Sequence, residues 1–177
     1  MRSRFFSLLV TVFIVVSFPY VSQGSDLSVL KICREKALAA AALLKSEGES
    51  ALAKIKNPAG QFRYANGEGY IWVHNLDGIM IMHPIKPTLE GQNVLEMRDV
   101  NGVYLFEQMN NIVIEKGQGW IPYAWRKPGE RESSPKVSFV VLVENGGKKY
   151  VVGSGLYDFI VDDIKALFPD DAIYVEE

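Results

Sequence analysis

A small set of side chains lies where a buried site could be built near the ends of candidate strands. His83 precedes a proline, Tyr123 and Trp125 alternate on one face, and Lys136 follows Pro135 and shares a face with Ser138. An imidazole, a phenol, an indole N–H and an ammonium are donors with few acceptors among them, so a small carboxylate could exchange its water shell for them within aromatic walls. The same residues also read as a solvated strand-end lysine beside ordinary core aromatics, and spacing leaves both readings open. Enzyme signatures are missing: there is no phosphate loop, no dinucleotide glycine fingerprint and no Gly-x-Ser-x-Gly elbow. Gly153-Ser-Gly155 resembles part of that elbow but falls in a strand pattern, where small residues permit close packing. His74 and His83, the only histidines, end adjacent strands of one hairpin, and two ligands without a third or fourth make a poor zinc site. Cys33, the only cysteine, reads as a buried helix residue rather than a nucleophile, and it excludes an intrachain disulfide. The expectation is a protein that is not an enzyme and needs no metal or cofactor.

The elements that must position these residues follow from periodicity. Residues 26–56 lack proline, contain one glycine, and repeat small or apolar residues at Leu30, Cys33, Ala37, Ala41, Leu44, Gly48, Ala51 and Ile55. This predicts a long amphipathic helix with a narrow seam, capped by Ser25 or Asp26 and closed before Asn57-Pro58. A seam of that length suggests a homodimer through the helix, with packing on the chain's own sheet as the alternative. Strands are expected at 70–74 and 79–83, joined by a turn ending Asp77-Gly78, and at 120–125, 136–143 and 149–157. Between them, 103–116 places Val103, Phe106, Met109, Asn110 and Val113 on one helical face, and 158–168 is a closing helix capped by Asp158 with Ile160, Ile164 and Leu167 inward. Strands joined by short turns and covered by helices define an α+β domain with an antiparallel sheet.

The chain has 177 residues, 48% hydrophobic and 23% charged, which suits one globular domain and excludes a disordered chain. Residues 5–18 are an unbroken uncharged, mostly apolar stretch that follows Arg2 and Arg4, the pattern of a secretory signal, and Ser22-Gln23-Gly24 supplies small residues for cleavage after Gly24. A retained anchor is the alternative, although 14 residues fall short of the roughly 20 that span a bilayer. Cleavage leaves 17 basic and 21 acidic side chains, a formal net charge of −4, and no basic footprint for nucleic acid.

Several short segments, in order, resemble a known family. They are Gly69-Tyr-Ile-Trp-Val-His74, Met82-His83-Pro84, Leu89-Glu-Gly-Gln-Asn93, Gly119-Trp-Ile-Pro-Tyr-Ala-Trp125, Pro135-Lys-Val-Ser-Phe-Val140 and Val152-Gly-Ser-Gly-Leu-Tyr157. The sequence is similar to the single Cache domains of the second type, the extracytoplasmic sensor modules of bacterial chemoreceptors and histidine kinases. The resemblance implies one Cache domain over 25–177, with a long helix at 25–58 and a PAS-like sensor core at 69–158 built on a five-stranded antiparallel sheet. It implies a pocket for a short organic acid lined by Trp72, His83, Tyr123, Trp125, Lys136 and Ser138. Lys136 would meet the carboxylate, His83 and Tyr123 would donate hydrogen bonds, and Trp72 and Trp125 would wall the apolar tail. Phe139 stands where many members have Tyr. The chain ends at Glu177 with no membrane helix or output module after the sensor core, so the expectation is a free-standing periplasmic binding module whose output needs a partner, such as a membrane receptor, or which acts by ligand sequestration. A structural protein acting through a partner, with no exchangeable ligand, is the alternative.

Overall fold

A computed structural model describes residues 26–174; the expected leader lies outside the described residues. Two helices open the fold, α1 (Ser28–Glu47) and α2 (Ala51–Lys56), and the first strands are β1 (Ile71–Asn75) and β2 (Met80–Met82). There follow α3 (Leu105–Lys116), the long strands β3 (Gln118–Arg126), β4 (Ser133–Asn145) and β5 (Lys148–Tyr157), and a short α4 (Val161–Leu167). All strands pair antiparallel in the order β2-β1-β5-β4-β3, the PAS-like arrangement of the expected α+β fold. Gly146-Gly147 closes the β4–β5 hairpin in two residues.

The expected helix over 26–56 is interrupted. Gly48 takes φ +63°, a left-handed value that ends α1, and the chain restarts as α2 three residues later. The β4–β5 turn reinforces the stop, since Asn145 Nδ2 donates to the Lys45 carbonyl at 2.8 Å. The seam nonetheless continues across the break: Leu30, Cys33, Ala37, Ala40, Ala41, Leu44, Ala51 and Ile55 are all buried. Their cover is the chain's own sheet, with Trp120, Val137, Phe139 and Leu156 against the first turns of α1 and Ile71, Val73, Val143 and Val152 against the later ones. The small residues let the helix approach the sheet closely, and the seam that suggested a dimer is filled within one chain.

The opposite face of the sheet packs against α3. Phe106, Met109, Ile112 and Val113 meet Tyr70, Trp72, Ile121, Val140 and Val151, and Asn110 lies on the same buried face, as the sequence period requires. Each of these large apolar groups is worth about 1.5–3 kcal/mol of burial. At the other end of the chain, Asp158 does not cap the closing helix. It sits at φ +62° and pairs with Lys127, while Asp163 accepts the Ile160 N–H at 2.9 Å and Ile160 itself is exposed.

Residues 171–174 lie parallel to β3, with Trp120 N–H bonded to the Ala172 carbonyl at 2.8 Å and Tyr174 N–H to the Trp120 carbonyl at 2.9 Å. Asp171 fixes this segment to α1, because its carboxylate accepts from Arg34 Nε at 2.9 Å, Arg34 Nη2 at 3.2 Å and Trp120 Nε1 at 3.0 Å. Asp171→Ala should cost about 1–3 kcal/mol, the loss of charge-assisted bonds that leaves an indole N–H unpaired. Hydrogen exchange should speed up at Trp120 and Tyr174 before it does elsewhere in β3. Uniform exchange along β3 in the variant would refute this local role.

Candidate functional site

Alternation along four strands brings one row of polar and aromatic groups to the α3 side of the sheet. Tyr70 lies beside β1, Trp72 belongs to it, Tyr123 and Trp125 belong to β3, Lys136 and Ser138 to β4, and Tyr157 to β5. Register sets their neighbours: Lys136 is opposite Tyr123 on one side and Tyr157 on the other, and Ser138 is opposite Gly155. The two glycines of Gly153-Ser-Gly155 make this packing possible. A Cβ at 153 would lie 2.2 Å from Trp72 Cζ2, and one at 155 would lie 2.0 Å from Ser138 Oγ and 2.6 Å from Lys136 Cε. The motif is a packing device between strands, as its sequence context suggested.

Lys136 is the centre of the cluster and is not the solvated strand-end residue of the competing expectation. It is 1% exposed, and its Nζ donates to Tyr70 Oη at 2.9 Å and, more weakly, to Tyr157 Oη at 3.5 Å. Rings surround it, with the centroids of Tyr70, Tyr157, Trp72 and Tyr123 at 4.3, 4.7, 5.3 and 5.9 Å from Nζ. Among the described residues no carboxylate forms an ion pair with it. A buried ammonium without a counter-charge is expensive, even with hydroxyl and ring partners. Further unsatisfied donor capacity stands close by: the indole Nε1 of Trp72, within the ring that faces Lys136, is buried without a hydrogen-bond partner.

His83 follows β2, packs against Tyr70 with ring centroids 5.3 Å apart, and is 2% exposed. Its Nδ1 accepts the backbone N–H groups of Ile85 at 3.3 Å and Lys86 at 3.1 Å, which leaves the ring proton on Nε2. Burial, with Lys136 and then Lys86 adding repulsion, lowers its pKa to about 3, so the ring is a neutral Nε2–H donor. Tyr123 Oη and Ser138 Oγ are 2.9 Å apart and share a hydrogen bond. Trp125 stands further out, edge-on to Tyr123 and Phe106, with Lys86 Nζ 3.7 Å from its ring centroid. Burial, Arg126 and Lys136 lower the Lys86 pKa to about 8.

The structure thus places all six sequence-predicted residues on one side of the sheet. It adds Tyr70 and Tyr157, which the sequence reading passed over, although Tyr70 is two residues from Trp72 and so shares its face. His74 is separate: its Nε2 meets Asn110 Oδ1 at 3.1 Å beneath α3, and burial lowers its pKa to about 4. Among the described residues no three His, Cys, Asp or Glu side chains gather closely enough to hold a metal ion. Cys33 is fully buried on the far side of the sheet, and burial raises its thiol pKa, the opposite of what an activated nucleophile needs.

Both histidines are neutral in the fold but protonate readily once unfolded, so between their folded values and about 6.5 the unfolded chain binds more protons. Stability is expected to fall by a few kcal/mol as pH drops from 6.5 towards 4.5, above the ordinary range of glutamate. Thermal unfolding across that window, compared with His74→Gln, measures it. A flat wild-type profile would contradict the neutral assignment.

The fold is a PAS-like five-stranded antiparallel sheet with a buried lysine among aromatic rings on one face. A sequence model described as Cache domain matches residues 36–173, and the chain belongs to that family. Over 101 residues it is 36% identical to the methyl-accepting chemotaxis protein McpP of Pseudomonas putida, a stretch that is 57% of this chain and 18% of McpP. The chain therefore corresponds to about a fifth of that relative's length. Two solved structures are similar to it. One is described as a periplasmic sensor domain of a chemotaxis protein, with a TM-score of 0.58, 34% identity, and coverage of 75% of this chain and 92% of that one. The other is described as the structural basis for carboxylic acid recognition by a Cache chemosensory domain, with a TM-score of 0.61, 32% identity and the same coverage.

Proposed function

We propose that this protein is a periplasmic sensor module that binds a short organic acid, with the carboxylate meeting Lys136. The observation that carries this reading is the fully buried Lys136 ammonium with no acidic partner among the described residues, beside the unpaired indole N–H of Trp72. A carboxylate supplies the missing charge and accepts hydrogen bonds from Lys136, Tyr123 and the Nε2–H of His83, while Trp72 and Trp125 wall its apolar part and Ser138 holds the Tyr123 hydroxyl. The described carboxylic acid recognition by a similar Cache domain supports the class of ligand, and the likeness to McpP supports a role in signalling through a membrane receptor. The cluster is closed to solvent. No helix among the described residues is long and apolar enough to cross a membrane.

A thermal-shift screen of acetate, propionate, lactate and pyruvate against amino acids and amines is the test. A ligand present at a hundred times its dissociation constant stabilises the fold by about 2.7 kcal/mol. Four heavy atoms limit acetate to about −6 kcal/mol, a dissociation constant in the tens of micromolar. Stabilisation by amines but not acids would overturn the reading, and no response to any member of the screen would favour a structural role. A homodimer through α1 would have to use its outer face, on which Ile32 is the exposed large apolar residue. We expect at most weak association there, and sedimentation showing a tight dimer would point to another surface.

A further inference from the structure

We propose a second carboxylate-binding site, built on Arg63 in the cavity between α2 and the Pro84 turn. The cavity measures about 480 Å³, is open to solvent, and is walled by Ala53, Pro58, Pro84 and Ile85. Arg63 is half-buried in it, and none of its guanidinium nitrogens has a hydrogen-bond partner among the described residues. Its Nη1 is fully buried as well as unpaired, and it has no ion pair. The other charged groups nearby are already matched: Lys56, on the cavity wall, holds both oxygens of Glu90 at 2.7 and 2.9 Å, and Glu90 also accepts the His83 N–H at 2.8 Å. Arg63 is therefore the uncompensated charge of the cavity.

A buried guanidinium N–H without an acceptor is costly, and the planar fork matches the two oxygens of a carboxylate. Apolar walls of Ala, Pro and Ile favour an acid with a compact apolar body over a bare inorganic anion, which has nothing to lay against them. Position also sets this site apart from the Lys136 cluster. The Arg63 guanidinium carbon is 5.8 Å from the Tyr70 ring centroid, and Tyr70 in turn carries the hydroxyl that accepts from Lys136. Tyr70 is thus a neighbour of both cations, and no hydrogen bond joins Arg63 to Lys136 among the described residues.

Calorimetric titration with benzoate tests the assignment, using Lys136→Met to silence the inner cluster. Benzoate should bind Lys136→Met at one site, and adding Arg63→Gln or Ala53→Trp should weaken it on the order of ten- to hundredfold. Ala53 is exposed on α2, so its replacement fills the cavity without disturbing the core and decides the matter if Arg63→Gln does not fold. Phosphate should bind far more weakly than benzoate. No benzoate binding to Lys136→Met at millimolar concentration, binding unaffected by both further substitutions, or phosphate binding equal to benzoate would overturn the proposal. Propionate titrated into Arg63→Gln, where only the inner cluster is left to bind it, reports on that site alone, so failure of the two readings is distinguishable.

Discussion

Replacing Lys136 by methionine should raise the melting temperature of the protein measured without added acid and abolish the shift that an acid produces. Two effects oppose each other in the stability change. The substitution removes a charge-assisted bond to Tyr70, worth about 1.5–3 kcal/mol, but it also relieves the desolvation of an ammonium that has no counter-ion. Desolvation is the larger effect here, because Tyr70 Oη and Tyr157 Oη are 3.3 Å apart and can satisfy each other once the lysine has gone. Apolar replacement of buried charge is often neutral or stabilising by about 1–4 kcal/mol, and the upper part of that range is expected. Binding should lose about 2–5 kcal/mol, roughly thirty- to several-thousandfold. Lys136→Arg should not restore it, since Lys136 Cε lies where a Cβ at 155 would be only 2.6 Å away, leaving no room for a planar fork. Unchanged affinity in Lys136→Met, with circular dichroism confirming the fold, would remove Lys136 from the site.

Gly155→Ala should be among the most damaging single-methyl additions in the sheet. The new Cβ would stand 2.0 Å from Ser138 Oγ, which can rotate away, but also 2.8 Å from the Val137 carbonyl oxygen, which is fixed in the β4–β5 ladder. Overpacking against backbone is expected to cost about 3 kcal/mol or more. In Gly153→Ala the methyl would meet the Trp72 ring at 2.2 Å and displace one wall of the cluster. Pairing Gly155→Ala with Ser138→Ala should recover only the part due to the hydroxyl. Denaturant unfolding of the three variants gives these numbers, and a loss below about 1 kcal/mol for Gly155→Ala would show that β4 and β5 can separate locally.

Features governed by short-range patterns were legible in the sequence. The Asp77-Gly78 turn, the strand alternation of Tyr123 with Trp125 and of Lys136 with Ser138, and the buried face of α3 depend on periods of 2 and 3.6 that survive tertiary packing. The break at Gly48 was hidden because the seam residues resume in phase after it, and its partner Asn145 lies 97 residues away in sequence. Asp158 was misleading for a related reason: as a helix cap it would have been ordinary, but its carboxylate is taken by Lys127. The burial of Lys136 depends on β5 supplying glycine opposite Ser138, a register that no single strand encodes. Arg63 gave no local signal, since the Glu90 carboxylate near its cavity is taken by Lys56, a residue 34 positions away from Glu90 in sequence.

The two backbone amides that hold His83 Nδ1 have a consequence for what such a sensor can report. With Nδ1 occupied and a pKa of about 3, the ring keeps the same proton on Nε2 throughout mildly acidic conditions. The His83 donor is thereby insulated from mild acidity in the folded protein, while Lys86 is the group nearby that titrates on the alkaline side. If the cluster binds a carboxylate as proposed, mild acidification would leave the His83 donor unchanged while protonating the dissolved acid, so the anion is the species that the cluster would meet.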